Sequence, residues 1–196
     1  MQTTDKSLID AHCRGETEAF SELVRRYGAA ILGYLMKMSK NQEQAEDFFQ
    51  ETFKRVHEKA YAFRGGQFKS WLFKIATNVA LDGFRKERSV RVVRLNQNID
   101  SSNENSGEFS VAVVVDNSSN PLEEAVRAER KKKVREAINL LPPKQRATLV
   151  LAYYQQLTYR QVAQTLGCSI GTVKTQMFRA LRILAGKLPD ISGENE

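Results

Sequence analysis

Cysteine and histidine are almost absent from this 196-residue chain, which has two of each. Cys13 and Cys168 are too few and too far apart to form a zinc pattern, and His12 and His57 do not complete one, so no metal and no cofactor is expected. No run approaches the roughly 18 apolar residues that a membrane span needs. The opening MQTTDKSLID has neither the basic start nor the apolar core of an export signal, so no membrane insertion is expected and the chain is read as cytoplasmic. Catalytic patterns are missing as well. The acids are dispersed over helix faces, no glycine-rich phosphate loop precedes a helix and no nucleophile–base pair appears, which argues against an enzyme.

What is present is positive charge. Thirty Lys and Arg against 23 Asp and Glu give a net charge of +7, which favours a polyanionic partner without choosing between nucleic acid and a membrane surface. A hydrophobic content of 41% excludes a wholly disordered protein, and the length allows one domain or two small ones.

The most informative stretch is TYRQVAQTLGCSIGTVKTQMFRALRIL at 158–184. Tyr159, Val162, Ala163 and Leu166 have the spacing of a short amphipathic helix, with Thr158 as its N-cap and Gly167 as the residue able to take positive φ at its end. Cys168 to Gly171 make a turn, and a second stripe runs through Ile170, Val173, Met177, Ala180, Leu181 and Leu184. This is the pattern of a helix-turn-helix. The opposite side of the second helix presents Thr172, Thr175, Arg179 and Arg182, flanked by Lys174, Gln176 and Phe178, with no acid from Gly171 to Leu188. Hydroxyls, an amide and guanidinium groups suit base edges and phosphates. An amphipathic helical hairpin with a solvated basic side is the alternative on pattern alone.

In chain order, a short amphipathic segment around Leu8 and Ile9 precedes a long helix carrying Phe20, Leu23, Val24, Tyr27, Ile31, Tyr34, Leu35 and Met38. Asn41 can cap a second helix whose stripe is Ala45, Phe48, Phe49, Thr52, Phe53, Val56, Ala60 and Phe63. Its polar face, with Glu46, Asp47, Gln50, Glu51, Lys54 and Arg55, is acid-led; periodicity does not say whether solvent or a protein meets it. Next comes FKSWLFKIATNVALDGFRKER at 68–88, with Leu72, Ile75, Ala76, Val79 and Ala80 as core. Lys69, Lys74, Arg85, Lys86 and Arg88 lie on its other sides with Trp71, Phe73 and Phe84 interleaved, a combination suited to unstacked nucleic acid, although Trp71 could equally finish the core.

Residues 91–121 hold 12 Ser and Asn with a net charge of −2, and read as a linker. The VAVVV at 111–115 could be a strand, a packing segment or a piece ordered by a partner. Leu122, Val126, Val134, Ala137, Ile138 and Leu141 mark another helix, with Arg127, Arg130, Lys131, Lys132, Lys133 and Arg135 outward, stopped at Pro142 and Pro143. A helix from 144 to 156, with Leu149, Val150, Leu151 and Tyr153 for the core, then leads into the helix-turn-helix. The expected fold is all-α. A helical domain at 1–90 is joined by a flexible linker at 91–121 to a four-helix unit at 122–188 that contains the helix-turn-helix, with a tail at 189–196.

The chain resembles bacterial RNA polymerase sigma factors of the small extracytoplasmic-function type in the sigma-70 family. AEDFFQETFKRV at 45–56 resembles their polymerase-binding helix, 68–88 their promoter-melting and minus-10 helix, and 141–181 their minus-35 helix-turn-helix. The resemblance implies that Asp47, Gln50, Glu51 and Arg55 face the beta-prime clamp helices of core RNA polymerase. It implies that Phe63, Trp71, Asn78, Arg85, Lys86 and Arg88 serve the minus-10 element of promoter DNA, Phe63 and Asn78 lining a pocket for a flipped base. Lys174, Thr175, Phe178 and Arg179 would read the minus-35 element, with Thr172 and Arg182 beside them. An anti-sigma factor is a further partner it admits. A stand-alone helix-turn-helix regulator would explain only the C-terminal half, leaving Phe48, Phe49, Phe53 and Trp71 and the acidic face without a purpose.

Overall fold

The computed structural model describes residues 3–96 and 121–188, with the side chains of all of these except 91–96 and 121–123. All regular structure among the described residues is helical: α1 (Asp5–Cys13), α2 (Thr17–Met38), α3 (Gln42–Lys59), α4 (Phe68–Asn96), α5 (Pro121–Asn139), α6 (Pro143–Leu149), α7 (Tyr159–Leu166) and α8 (Ile170–Lys187).

Side-chain caps set several helix starts. Thr4 caps α1, and the Asn41 side chain accepts the Gln44 N–H at 2.9 Å, closing one of the unpaired donors at the start of α3. The entry of the chain is pinned to α2: Tyr27 Oη donates to Asp5 Oδ2 at 2.6 Å, and Arg26 reaches Thr3 O at 2.7 Å. Burial and the bond to Asp5 push the Tyr27 hydroxyl up to about 12.

The expected stripe of α2 is buried at Leu23, Ile31, Tyr34, Leu35 and Met38, while Phe20, Val24 and Tyr27 pack half-buried at its margin. Tyr34 is fully enclosed, and its hydroxyl is satisfied by Thr77 of α4 at 2.7 Å, which removes the cost of burying it. α4 is the spine, with Leu72, Phe73, Ile75, Ala76, Val79 and Ala80 buried along it. Phe73 is therefore core and not a ring displayed among cations.

Several boundaries depart from the sequence reading. α3 ends at Lys59 and passes into a 3-10 turn, Ala60–Ala62, so Phe63 sits in extended backbone after the helix instead of on its stripe. α4 runs on to Asn96, into the stretch read as linker, because nothing between Ser89 and Asn96 breaks a helix: neither glycine nor proline occurs there. The VAVVV segment lies outside the described residues. The helix expected over 144–156 is α6 followed by a π-helical turn, Val150–Tyr154, and Gln156 then takes φ 54°. An extra residue in a turn rotates the residues after it by about 100° around the axis. Tyr153, expected in the core, is consequently 69% exposed. On α8 the buried line is Val173, Met177 and Ala180, continued by half-buried Ile183 and Leu184, so Ile170 and Leu181 fall beside it and are exposed.

The two halves share one buried core, in which Ile138, Leu141, Leu149, Val150, Leu151 and Leu157 join the side chains of α2 and α4. Arg146 fixes the junction. Its Nη1 donates to Met38 O at 2.7 Å, and its Nη2 donates to Asn139 O and, at 3.3 Å, to Leu141 O.

Gly83 carries a packing requirement that periodicity does not reveal. The ring of Phe48, on α3, lies so close to it that a Cβ would collide with the ring edge, and Phe48 also meets Phe84 edge-on at 5.9 Å. Gly83→Ala should destabilise the protein by about 1–2 kcal/mol despite the better helix propensity of alanine, because overpacking outweighs it. In a Phe48→Ala background the same change should become neutral or stabilising. Urea titrations of the four proteins check the reversal of sign.

Candidate nucleic-acid interface

The helix-turn-helix is locked at each joint by side-chain chemistry. Thr158 Oγ1 accepts the Gln161 N–H at 3.3 Å while Gln161 Oε1 accepts the Thr158 N–H at 2.8 Å, so two orphan donors at the start of α7 are satisfied reciprocally. Gly167 ends α7 in the left-handed conformation, φ 63°, where a side chain would be strained. Ser169 then caps α8 by accepting the Thr172 N–H at 3.0 Å. The turn is therefore short and rigid, and α8 is held by Val173, Met177 and Ala180 against the rest of the unit.

The outward side of α8 is as the spacing predicts. Thr172, Lys174, Thr175, Phe178, Arg179 and Arg182 are all exposed, Phe178 at 67%. The Thr175 hydroxyl donates to Gly171 O at 3.0 Å. Gln176 is the exception: half-buried, its Oε1 accepts from Thr148 Oγ1 at 2.6 Å, so it ties α8 to α6 and does not flank the outward face. Between Glu136 and Asp190 the sequence contains no carboxylate side chain, so no acid on α6, α7 or α8 opposes an approaching phosphate.

On α3, Asp47 and Gln50 are exposed, and Glu51 and Arg55 half-exposed. Glu51 accepts from Arg55 Nε at 2.7 Å, and Arg55 also reaches Asp82 of α4 at 3.5 Å. Asp82 in turn accepts from Arg85 at 3.0 Å. The bonds to Glu51, the largest influence, and to Asp82 raise the Arg55 pKa above its usual value. Asp82, which joins Arg55 to Arg85, was not singled out from the sequence. Its i, i+3 spacing to Arg85 was the available signal.

The residues expected around the minus-10 element are only partly brought together. Phe63 and Trp71 meet with ring centroids 5.3 Å apart, beside Phe68. Phe63 is buried at 9% exposure, as a core residue would be, and Trp71 is half-buried. Asn78 is exposed on α4, as are Arg85, Lys86 and Arg88 near its far end. A cleft of about 690 Å³ opens beside the ring cluster, walled by Gly66, Ser70, Trp71 and Lys74 on one side and by Arg160 and Gln164 of α7 on the other.

Among the described residues no cluster of His, Cys, Asp and Glu could hold a metal ion, and no helix is long and apolar enough to cross a membrane. Cys168 is free, and burial raises its thiol pKa.

Comparison with known proteins matches two stretches of the chain to family models. Residues 23–90 match the model of Sigma-70 region 2, and residues 131–184 that of Sigma-70, region 4. The chain is 30% identical to the RNA polymerase sigma-H factor of Pseudomonas aeruginosa over 91% of each chain. It is 28% identical to the ECF RNA polymerase sigma factor SigW of Bacillus subtilis, covering 97% of this chain and all of that one (100%). Among solved structures it is similar to the sigma factor RpoE crystallised with the anti-sigma factor NepR from Bartonella quintana, with a TM-score of 0.65, 25% identity and coverage of 89% of this chain and 99% of that one. Two region matches in chain order, with full-length similarity to such proteins, make this chain a member of the extracytoplasmic-function group of the sigma-70 family, the initiation factors that act with RNA polymerase at promoters.

Proposed function

We propose that this chain directs core RNA polymerase to its promoters through three surfaces. The acidic side of α3, led by Asp47, Gln50 and Glu51, docks on the beta-prime clamp helices. The outward face of α8 reads the minus-35 element, and the 63–67 loop with α4 captures and melts the minus-10 element. The observation that carries the reading is the exposed, acid-free face of α8, held rigid by the Thr158–Gln161 box and Gly167. The Bartonella quintana relative was crystallised with an anti-sigma factor, and a partner of that kind fits this chain as well. Run-off transcription with purified core polymerase and a randomised promoter library tests the whole.

Asp47 stands off the core and has no role in the Glu51–Arg55–Asp82 network, so it is the clean handle on docking. Asp47→Lys should weaken binding to core polymerase at least tenfold with unchanged thermal unfolding; normal binding by a folded variant would remove α3 from the interface.

Arg179→Ala should cost about 1–3 kcal/mol on the preferred promoter and relax discrimination at one minus-35 position. Arg182→Ala should weaken all sequences alike and shallow the salt dependence, as loss of a phosphate contact does. Binding measured across a minus-35 library at two salt concentrations separates the two.

Extruding a base costs a few kcal/mol of unstacking, which a pocket must return. Asn78 is exposed, so Asn78→Ala should slow open-complex formation on duplex promoters far more than it affects polymerase binding, and a pre-melted bubble should restore much of it. Phe63→Ala should show the same defect together with lost stability of about 3–5 kcal/mol, since that ring is buried. Normal permanganate reactivity at the minus-10 element in Asn78→Ala would return this surface to simple packing.

A further inference from the structure

The cleft of about 690 Å³ beside Trp71 has the size of a small-molecule site, and its walls carry charge of one sign only. Lys74 of α4 stands on one wall and Arg160 of α7 on the other, and the walls meet where Thr165 Oγ1 donates to Ser70 O at 3.4 Å. Both cations are exposed, and among the described residues neither makes an ion pair. The sequence has no carboxylate side chain between Glu58 and Asp82 or between Glu136 and Asp190, so every lining residue comes from an acid-free stretch. Hydrogen-bond donors dominate in the same way. Gln67 Oε1 accepts from Gln161 Nε2 and, at 3.4 Å, from Ser70 Oγ, so its carbonyl is occupied while its two amide hydrogens have no acceptor among the described residues. Gly65 and Gly66, at φ 100° and 92°, bring backbone without side chains to the cleft, with open space beside each. Trp71 supplies the aromatic wall, half-buried and braced by the rings of Phe63 and Phe68.

We propose that this cleft binds a free nucleoside di- or triphosphate, its base stacked on Trp71 and its phosphates held between Lys74 and Arg160. The class of ligand follows from the groups that line the cleft. An apolar molecule would leave two cations and the Gln67 amide facing it unpaired, at a cost for each donor taken out of water. A bare inorganic anion would satisfy the cations and leave the Trp71 wall unused. A nucleotide meets both demands, because every base has a face that stacks on an aromatic ring and phosphate oxygens accept from ammonium, guanidinium and amide groups together. A cation on each wall favours a chain of phosphates over a single one. The ligand shares Trp71 and the 63–67 loop with the promoter strand of the proposed function, but its binding requires neither DNA nor polymerase and stands or falls separately.

Trp71 is the only tryptophan of the chain, so its fluorescence reports on this cleft. ADP and GDP, added to the full chain with no DNA or polymerase present, should quench it saturably, and titration calorimetry should return the same Kd. Pyrophosphate and adenosine, which carry the two halves of the ligand's chemistry, should each bind at least tenfold more weakly than ADP. Lys74→Ala and Arg160→Ala should each weaken ADP binding at least fivefold with unchanged thermal unfolding, since both side chains are exposed. Lys6→Ala removes an exposed cation from α1 and should leave the titration as it was. Absence of saturable binding by both nucleotides would overturn the proposal. Pyrophosphate binding as tight as that of ADP would reduce the cleft to an anion site with no place for a base. Unchanged binding in Lys74→Ala and Arg160→Ala, or an equal loss in Lys6→Ala, would put the nucleotide elsewhere on a cationic surface and overturn the assignment of this cleft.

Discussion

A guanidinium bonded to backbone carbonyls, with no carboxylate partner among the described residues, sits where the two halves of this structure meet. Arg146 is buried, and desolvation lowers its pKa from the usual arginine value. An isolated ion so placed would cost several kcal/mol, yet Arg146 points at the carbonyl ends of two helices: Met38 closes α2 and Asn139 closes α5. The last carbonyls of a helix are unpaired and carry about half a negative charge, so one cation satisfies both ends. Because α2 belongs to the N-terminal half and α5 and α6 to the C-terminal half, the same side chain orders the C-terminal unit and joins it to its neighbour.

α4 is the second organising element, and its faces divide the work. One side supplies Leu72, Phe73, Ala76 and Val79 to the core shared with α2 and α3. Another exposes Asn78 and, further on, Arg85, Lys86 and Arg88. Its start receives α7. Charge follows the same division: carboxylates gather around α3 at Asp47, Glu51 and Asp82, while the chain from α6 through α8 has none. Negative and positive surface are thereby kept apart, so an approaching polyanion is steered to the side of α6–α8 and away from α3.

Much of the site was legible because its signals are local. Thr158, Gln161 and Gly167 declare the joints of the helix-turn-helix within ten residues, and the exposed set of α8 follows from a 3.6-residue period applied to Val173 and Met177. Gln176 and Leu181 were misplaced because a period fixes angles only to within a fraction of a turn, and neighbours at the stripe edge decide the rest. Tyr153 was lost to the π-helical turn, which no composition signal announces. Trp71 was undecidable for a different reason: a ring that stacks on a base and a ring that packs on Phe63 and Phe68 have the same spacing in sequence.

By itself, then, the sequence determined the all-helical class, the order of the helices, the capping of α3 and α7 and the basic, exposed face of α8, because each depends on residues a few positions apart. Only the tertiary structure decided which partners meet across long separations. That Arg146 would find Met38, that Gly83 exists to admit the ring of Phe48, and that Thr165 would rest on Ser70 are outcomes of close packing between distant segments. Side-chain periodicity describes one helix at a time, whereas such contacts depend on how several helices fill a shared volume at near-crystalline density.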